Sequence, residues 1–164
     1  MNKIYIFSGL GVDKRVFDNI DFSGLNIAFV DWIDPLKKET FESYAYRISK
    51  DFENNSILIG LSFGGMLAVE VSKIIPVKKV ILIASAKNKS ELPKWFLLAG
   101  KLKLNQIVPS SLLKTTNFIT NWLFGAATSA EKLLLKNIIK DTEPRFLKWA
   151  VNPIVNSQYL SAPQ

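Results

Sequence analysis

The chain has 164 residues with no cysteine and no histidine, and 48% of its side chains are apolar. That length suits one domain with a real core, and the missing cysteines exclude disulfides and thiolate metal sites and agree with a reducing compartment. The net charge of +7 is uneven, +1 over residues 1–88 (11 basic, 10 acidic) and +6 over 89–164 (10 basic, 4 acidic); the lysines are dispersed and not interleaved with aromatics, which reads as a solvated helical face rather than a nucleic-acid surface.

Residues 3–7 are dense in Ile, Tyr and Phe and read as a buried strand. Ser8-Gly9-Leu10-Gly11 is a loop, and Asp13 caps a short helix with Val16, Phe17 and Ile20 on its apolar face. Residues 26–32 form a second strand, followed by the acidic loop residues Asp31 and Asp34 at and beyond its end. Thr40 caps a helix in which Phe41, Tyr44, Ala45, Ile48 and Phe52 recur at helical spacing. The β-branched run 57–59 is a third strand, a helix follows from Met66 through Val71 to Ile74 and Ile75, and residues 79–85 are a fourth strand. Strand and helix alternate, which predicts a parallel sheet with helices on both faces, in the order 2-1-3-4.

After Ser85 only helical patterns remain, at residues 92–104, 110–124, 129–140 and 144–155. Thr128 and Glu131 have capping-box spacing, and Pro144 suits a first helical position. Trp95, Phe96, Phe118, Trp122, Phe124, Phe146 and Trp149 lie in these helices. They read as the buried faces of a helical layer, a few of them lining an apolar pocket. Residues 157–164 show no periodicity. The division expected is a core at 1–90, a helical cap at 91–156 and an irregular tail at 157–164. No apolar run reaches the roughly 18 residues of a membrane span. The start of the chain is too short and polar for a signal sequence, so a cytoplasmic protein is expected.

The chemistry concentrates between the third strand and its helix, at Gly60-Leu61-Ser62-Phe63-Gly64-Gly65. Glycine flanks Ser62 at a spacing of two on each side, and the G-x-S-x-G stretch lies between strand and helix as a nucleophile elbow requires. To lift a serine off the top of a sheet the chain must turn sharply, and a side chain at Gly60 or Gly64 would collide with the neighbouring backbone. The competing structural role for Ser62 is that of a helix N-cap in a glycine-rich turn.

On these residues the chain resembles the α/β-hydrolase family, with Ser62 at the nucleophile position and the sheet matching that family's third to sixth strands. The resemblance implies an oxyanion hole from the N–H groups of Leu10 and Phe63, with Ser8 where the family often has histidine. It implies serine-type, esterase-like hydrolysis of a small apolar or acyl-type substrate, with no cofactor and no metal. The family places its acid and then its histidine on two later strands, neither of which is recognisable here, so the resemblance reads as truncated and the fourth strand as an exposed edge open to self-association. Lys87 and Lys89 are the candidates for a non-histidine base, and Glu91, Asp141 and Glu143 are acids near the cap. Two other readings stay open. One is a degenerate homologue that binds a ligand or partner without catalysis. The other is a Rossmann-like dinucleotide-binding domain, suggested by Gly9-x-Gly11 and by Asp31 twenty residues on, with Lys14 where a third glycine would stand.

Overall fold

The computed structural model describes residues 1–87, Glu91 and 128–156; the expected helices at 92–104 and 110–124 and the tail at 157–164 lie outside these. Four strands, β1 (Ile4–Phe7), β2 (Ile27–Val30), β3 (Ser56–Leu61) and β4 (Val77–Ile83), form one parallel sheet in the order β2-β1-β3-β4. β1 is central and buried on both sides, which is why its sequence is an unbroken apolar run. It pairs Ile4 with Ile27 of β2 and with Ile57 of β3.

The two faces are covered unequally among the described residues, α-helices lying on one and a short 3-10 turn on the other. Tyr5, Phe7 and Leu58 meet α1 (Phe41–Ile48) and α2 (Phe63–Val71) through Phe41, Tyr44, Ala45, Met66, Leu67, Ala68 and Val71. Ile4 and Ile6, with Ile57 and Ile59, meet Phe17, from a single 3-10 turn (Lys14–Phe17), and Phe22. Asp13 and Thr40 cap as their residue types require, accepting the N–H groups of Arg15 and Ser43.

Some boundaries move. β4 begins at Val77, directly after Pro76, because the Asn55 N–H donates to the Pro76 carbonyl at 2.8 Å and draws the two chains together at that point. α1 stops at Ile48, where the Ser49 hydroxyl donates to the Ala45 carbonyl at 2.6 Å, so Phe52 leaves the helix and stacks on Tyr5 with ring centroids 3.9 Å apart. Ile20 lies beyond the 3-10 turn and is 51% exposed, so it is no part of that turn's apolar face. β2 ends at Val30, leaving Asp31 in the following loop.

Two further helices, α3 (Ser129–Asp141) and α4 (Pro144–Asn156), follow one another through Thr142 and Glu143, and Thr128 and Glu131 make the reciprocal capping box at the start of α3. α3 sets Leu135, Ile138 and Ile139 against Val12 and Leu61, and α4 sends Phe146 and Ala150 into the main core. The two helices therefore reach the carboxyl ends of the strands separately, α3 at Leu61 and α4 at Trp32 and Phe63. Trp32 stacks on Phe146 at 5.0 Å, Tyr44 meets Trp149 at 4.4 Å, and the Trp149 indole donates to the Glu39 carbonyl at 2.9 Å. Arg15 joins Asp13 at 2.6 Å to Asp141 at 3.0 Å.

The Glu39 side chain is 1% exposed and receives the Arg47 guanidinium through two bonds of 2.9 Å and the Leu36 N–H at 2.7 Å. The hydrogen bond from Arg47 holds its carboxyl below the ordinary value of 4.5. A lowered folded value means that ionised Glu39 stabilises the fold above pH 4.5, and that this contribution is lost as pH falls through the folded value. Glu39→Gln is expected to cost about 1–3 kcal/mol at neutral pH. Urea melts at several pH values should show the gap from the parent closing below pH 4.5 and staying constant above it.

Candidate functional site

Ser62 sits between the last residue of β3 and the first of α2, with φ 52° and ψ −118°. That combination is costly for any residue with a Cβ, about 1–3 kcal/mol. The backbone is held there by four hydrogen bonds. The Ser62 N–H donates to the Ile83 carbonyl at 2.8 Å, and its carbonyl accepts the Gly65 N–H at 2.9 Å, the Met66 N–H at 3.3 Å and the Ser85 hydroxyl at 2.6 Å. Ser62 occupies the N-cap position, yet its side chain makes no capping bond and the residue is exposed. The hydroxyl is thus uncommitted among the described residues, which separates Ser62 from an ordinary N-cap serine.

The glycines around it answer to sterics. A Cβ on Gly60 would overlap the Gly65 backbone, and a Cβ on Gly64 would overlap the Ser8 carbonyl and stand 2.7 Å from the Phe7 carbonyl oxygen. Gly65, which motif reading passed over, is as constrained: a Cβ there would overlap the Ser85 hydroxyl. The pattern that pointed to it is two adjacent glycines in the first turn of a helix, a place where each costs stability without a packing reason.

The loop after β1 lies against the serine. A Cβ on Gly9 would stand 3.5 Å from the Ser62 Cβ and 3.0 Å from Val12, and Gly11 takes φ 72° to let the loop turn. The N–H groups of Leu10 and Phe63 donate to no acceptor among the described residues. Phe63 is buried against Trp32, Phe41, Phe146 and Trp149, at ring distances from 5.6 to 6.3 Å. An open cavity of about 230 Å³ beside the α3–α4 junction has Trp32 and Phe146 in its wall beside Asp13, Asp34, Asp141 and Glu143. It is more acidic than the apolar pocket expected there.

The candidate acids and bases are dispersed. Asp141 is held by Arg15, Glu143 is exposed and offers its carbonyl to the Leu147 N–H, and the Glu91 carboxylate accepts the Lys87 N–H at 2.9 Å. Arg15 also holds the Asp13 carboxyl below its ordinary value, chiefly through their side-chain hydrogen bonds. Lys89 lies outside the described residues. Among the described residues no cluster of acidic side chains is built to hold a metal, and no helix is long and apolar enough to cross a membrane. A dinucleotide pyrophosphate needs an α-helix N-terminus after the glycine loop. Here the loop leads into a four-residue 3-10 turn, and the space that Gly9 leaves open is taken by Val12 and Ser62.

No family model and no curated protein matches the chain. Solved structures do. MenH from S. aureus aligns with TM-score 0.68 and 14% identity over 98% of this chain and 68% of its own. The bottromycin epimerase BotH, solved in complex with bottromycin A2, aligns with TM-score 0.61 and 14% identity over 99% of this chain and 67% of its own. The RedJ thioesterase of prodiginine biosynthesis in Streptomyces coelicolor aligns with TM-score 0.59 and 14% identity over 99% and 65%. The chain thus spans about two thirds of the length of these neighbours. At such identities the likeness carries the fold.

Two stability measurements test the geometry of the turn. Gly64→Ala should lower the unfolding free energy by about 1–3 kcal/mol or more, because the backbone of β1 cannot yield to the added methyl. Ser62→Gly should raise it by about 1 kcal/mol relative to Ser62→Ala, since only glycine adopts φ 52° freely. Equal midpoints for the two Ser62 variants in guanidinium melts would show that the residue is unstrained.

Proposed function

Because the chain has the α/β-hydrolase fold, we propose that it is a serine-type hydrolase acting on small ester or thioester substrates, with Ser62 as nucleophile and the N–H groups of Leu10 and Phe63 as the oxyanion donors. The observation that supports this most is the strained, exposed Ser62 at the β3–α2 junction, its hydroxyl free of any capping duty. The thioesterase among the structural neighbours supports acyl transfer to water as the reaction class.

In this reading the Ser62 oxygen bonds to the carbonyl carbon of the substrate while the carbonyl π electrons move onto oxygen. That new charge meets the two uncommitted N–H groups, a single such donor being worth about 3–4 kcal/mol in the transition state. Collapse expels the alcohol or thiol, and water then releases the acid. The proton of Ser62 needs a base, and the 164 residues contain no histidine. That same observation favours a second reading, a degenerate homologue that binds a ligand or a partner beside α3 and α4 without catalysis.

p-Nitrophenyl acetate hydrolysis by the chain and by Ser62→Ala tests both. The nucleophile reading expects weak turnover, of the order of the 10³–10⁴ over water that survives loss of a triad member, and its disappearance in the variant. Equal rates in the two proteins would overturn the nucleophile role and leave the binding reading. Rapid turnover that vanishes in the variant would mean that a side chain other than histidine serves as the base.

A further inference from the structure

The geometry points to Ser85 as a positioning residue for Ser62, gripping the strained backbone of the nucleophile from the end of β4; this rests on the nucleophile role proposed for Ser62. Ser85 lies two residues beyond β4, and its hydroxyl donates to the Ser62 carbonyl at 2.6 Å across 23 positions of sequence. Two residues earlier, the Ile83 carbonyl accepts the Ser62 N–H at 2.8 Å. Both backbone polar groups of the strained residue are therefore tied to one three-residue segment.

That segment is itself strained. Ala84 has φ 46°, a conformation an alanine adopts only where its surroundings impose it. The turn at Ala84 takes the chain out of the strand and returns Ser85 to the elbow. On the facing side Gly65 leaves the room: a Cβ there would overlap the Ser85 hydroxyl and stand 2.5 Å from the Ser85 Cβ. The bare helix position, the twisted alanine and the short hydroxyl bond thus form one arrangement centred on the Ser62 carbonyl. The helix bonds from Gly65 and Met66 would remain if the Ser85 hydroxyl were removed, so the fold should survive. What is lost is the sideways restraint from β4.

The test uses the full chain and p-nitrophenyl acetate, with Ser85→Ala, Ser85→Thr and Ser62→Ala. The Ser62-dependent rate should fall about tenfold in Ser85→Ala at unchanged KM, the scale of one lost hydrogen bond, and return to within about threefold of the parent in Ser85→Thr. A Ser85→Ala rate equal to that of the parent overturns the inference, as does a loss that threonine does not restore. If the parent shows no Ser62-dependent rate, the hydrolase reading fails by itself, and amide hydrogen exchange decides the positioning role. Protection of the Ser62 amide should then drop about tenfold more in Ser85→Ala than protection of the Leu58 amide in mid-strand. Equal changes at the two amides overturn it.

Discussion

The structure depends on one uncomfortable residue. A serine at φ 52° and ψ −118° is unfavourable by itself, and the chain keeps it by surrounding it with backbone. Close approach from three sides is possible only because Gly60, Gly64 and Gly65 carry no side chains. Through them the elbow touches the end of β1 at Phe7 and Ser8 and the end of β4 at Ser85. The central position of β1 and its parallel pairing with β3 follow from the same requirement, since the loop after β1 must arrive beside the tip of β3. Strain at one position is thereby distributed as close packing over three elements.

The second organising contact is the aromatic cluster below α4. Phe63, the residue after the strained serine, meets Trp32, Phe41, Phe146 and Trp149, so α4 rests directly on the first turn of α2. Aromatic pairs of this kind add about 0.5–1.5 kcal/mol each beyond the area they bury. Around the cluster run polar fastenings from different parts of the chain, with Trp149 on the Glu39 carbonyl and Arg15 bridging Asp13 and Asp141. The position of α4 and the surroundings of the elbow are thus set by the same side chains.

Much of this was legible in the residues, and the division between what was and what was not has a physical basis. Local rules carry the caps at Asp13, Thr40 and Thr128 and the sharp turn at Ser62, because each depends on residues within a few positions of one another, while the strand order follows from the alternation of strands and helices along the chain. Helix and strand ends shifted where a single hydrogen bond intervened, as at Ser49 and Asn55. Ser85 and the indole of Trp149 were not identified as partners of the elbow or of the Glu39 loop. Their counterparts lie 23 and 110 positions away, and no periodicity encodes such a meeting. Of the acids offered by proximity to the cap, Asp141 is engaged by Arg15 and Glu91 by the Lys87 N–H, while Glu143 stands exposed; nearness in sequence says nothing of which charge will cross to meet an acid.

The place of β1 at the centre of the sheet has a consequence for the order of assembly. When β1 leaves the ribosome it has neither of its neighbours in hand. It waits for β2, then for β3, and the hydrogen bond from the Glu53 amide to Tyr5 alone spans 48 positions. Pairing of this non-local kind is intrinsically slow, because the loop entropy is lost before the contacts are gained. The α4 helix that packs on Phe63 is made later still, its Trp149 reaching back 110 positions to Glu39. During that interval Phe63, next to the strained serine, lacks its aromatic partners Phe146 and Trp149. The elbow should therefore be among the last parts of the molecule to settle, and the region where a folding chain is most open to chaperones and proteases.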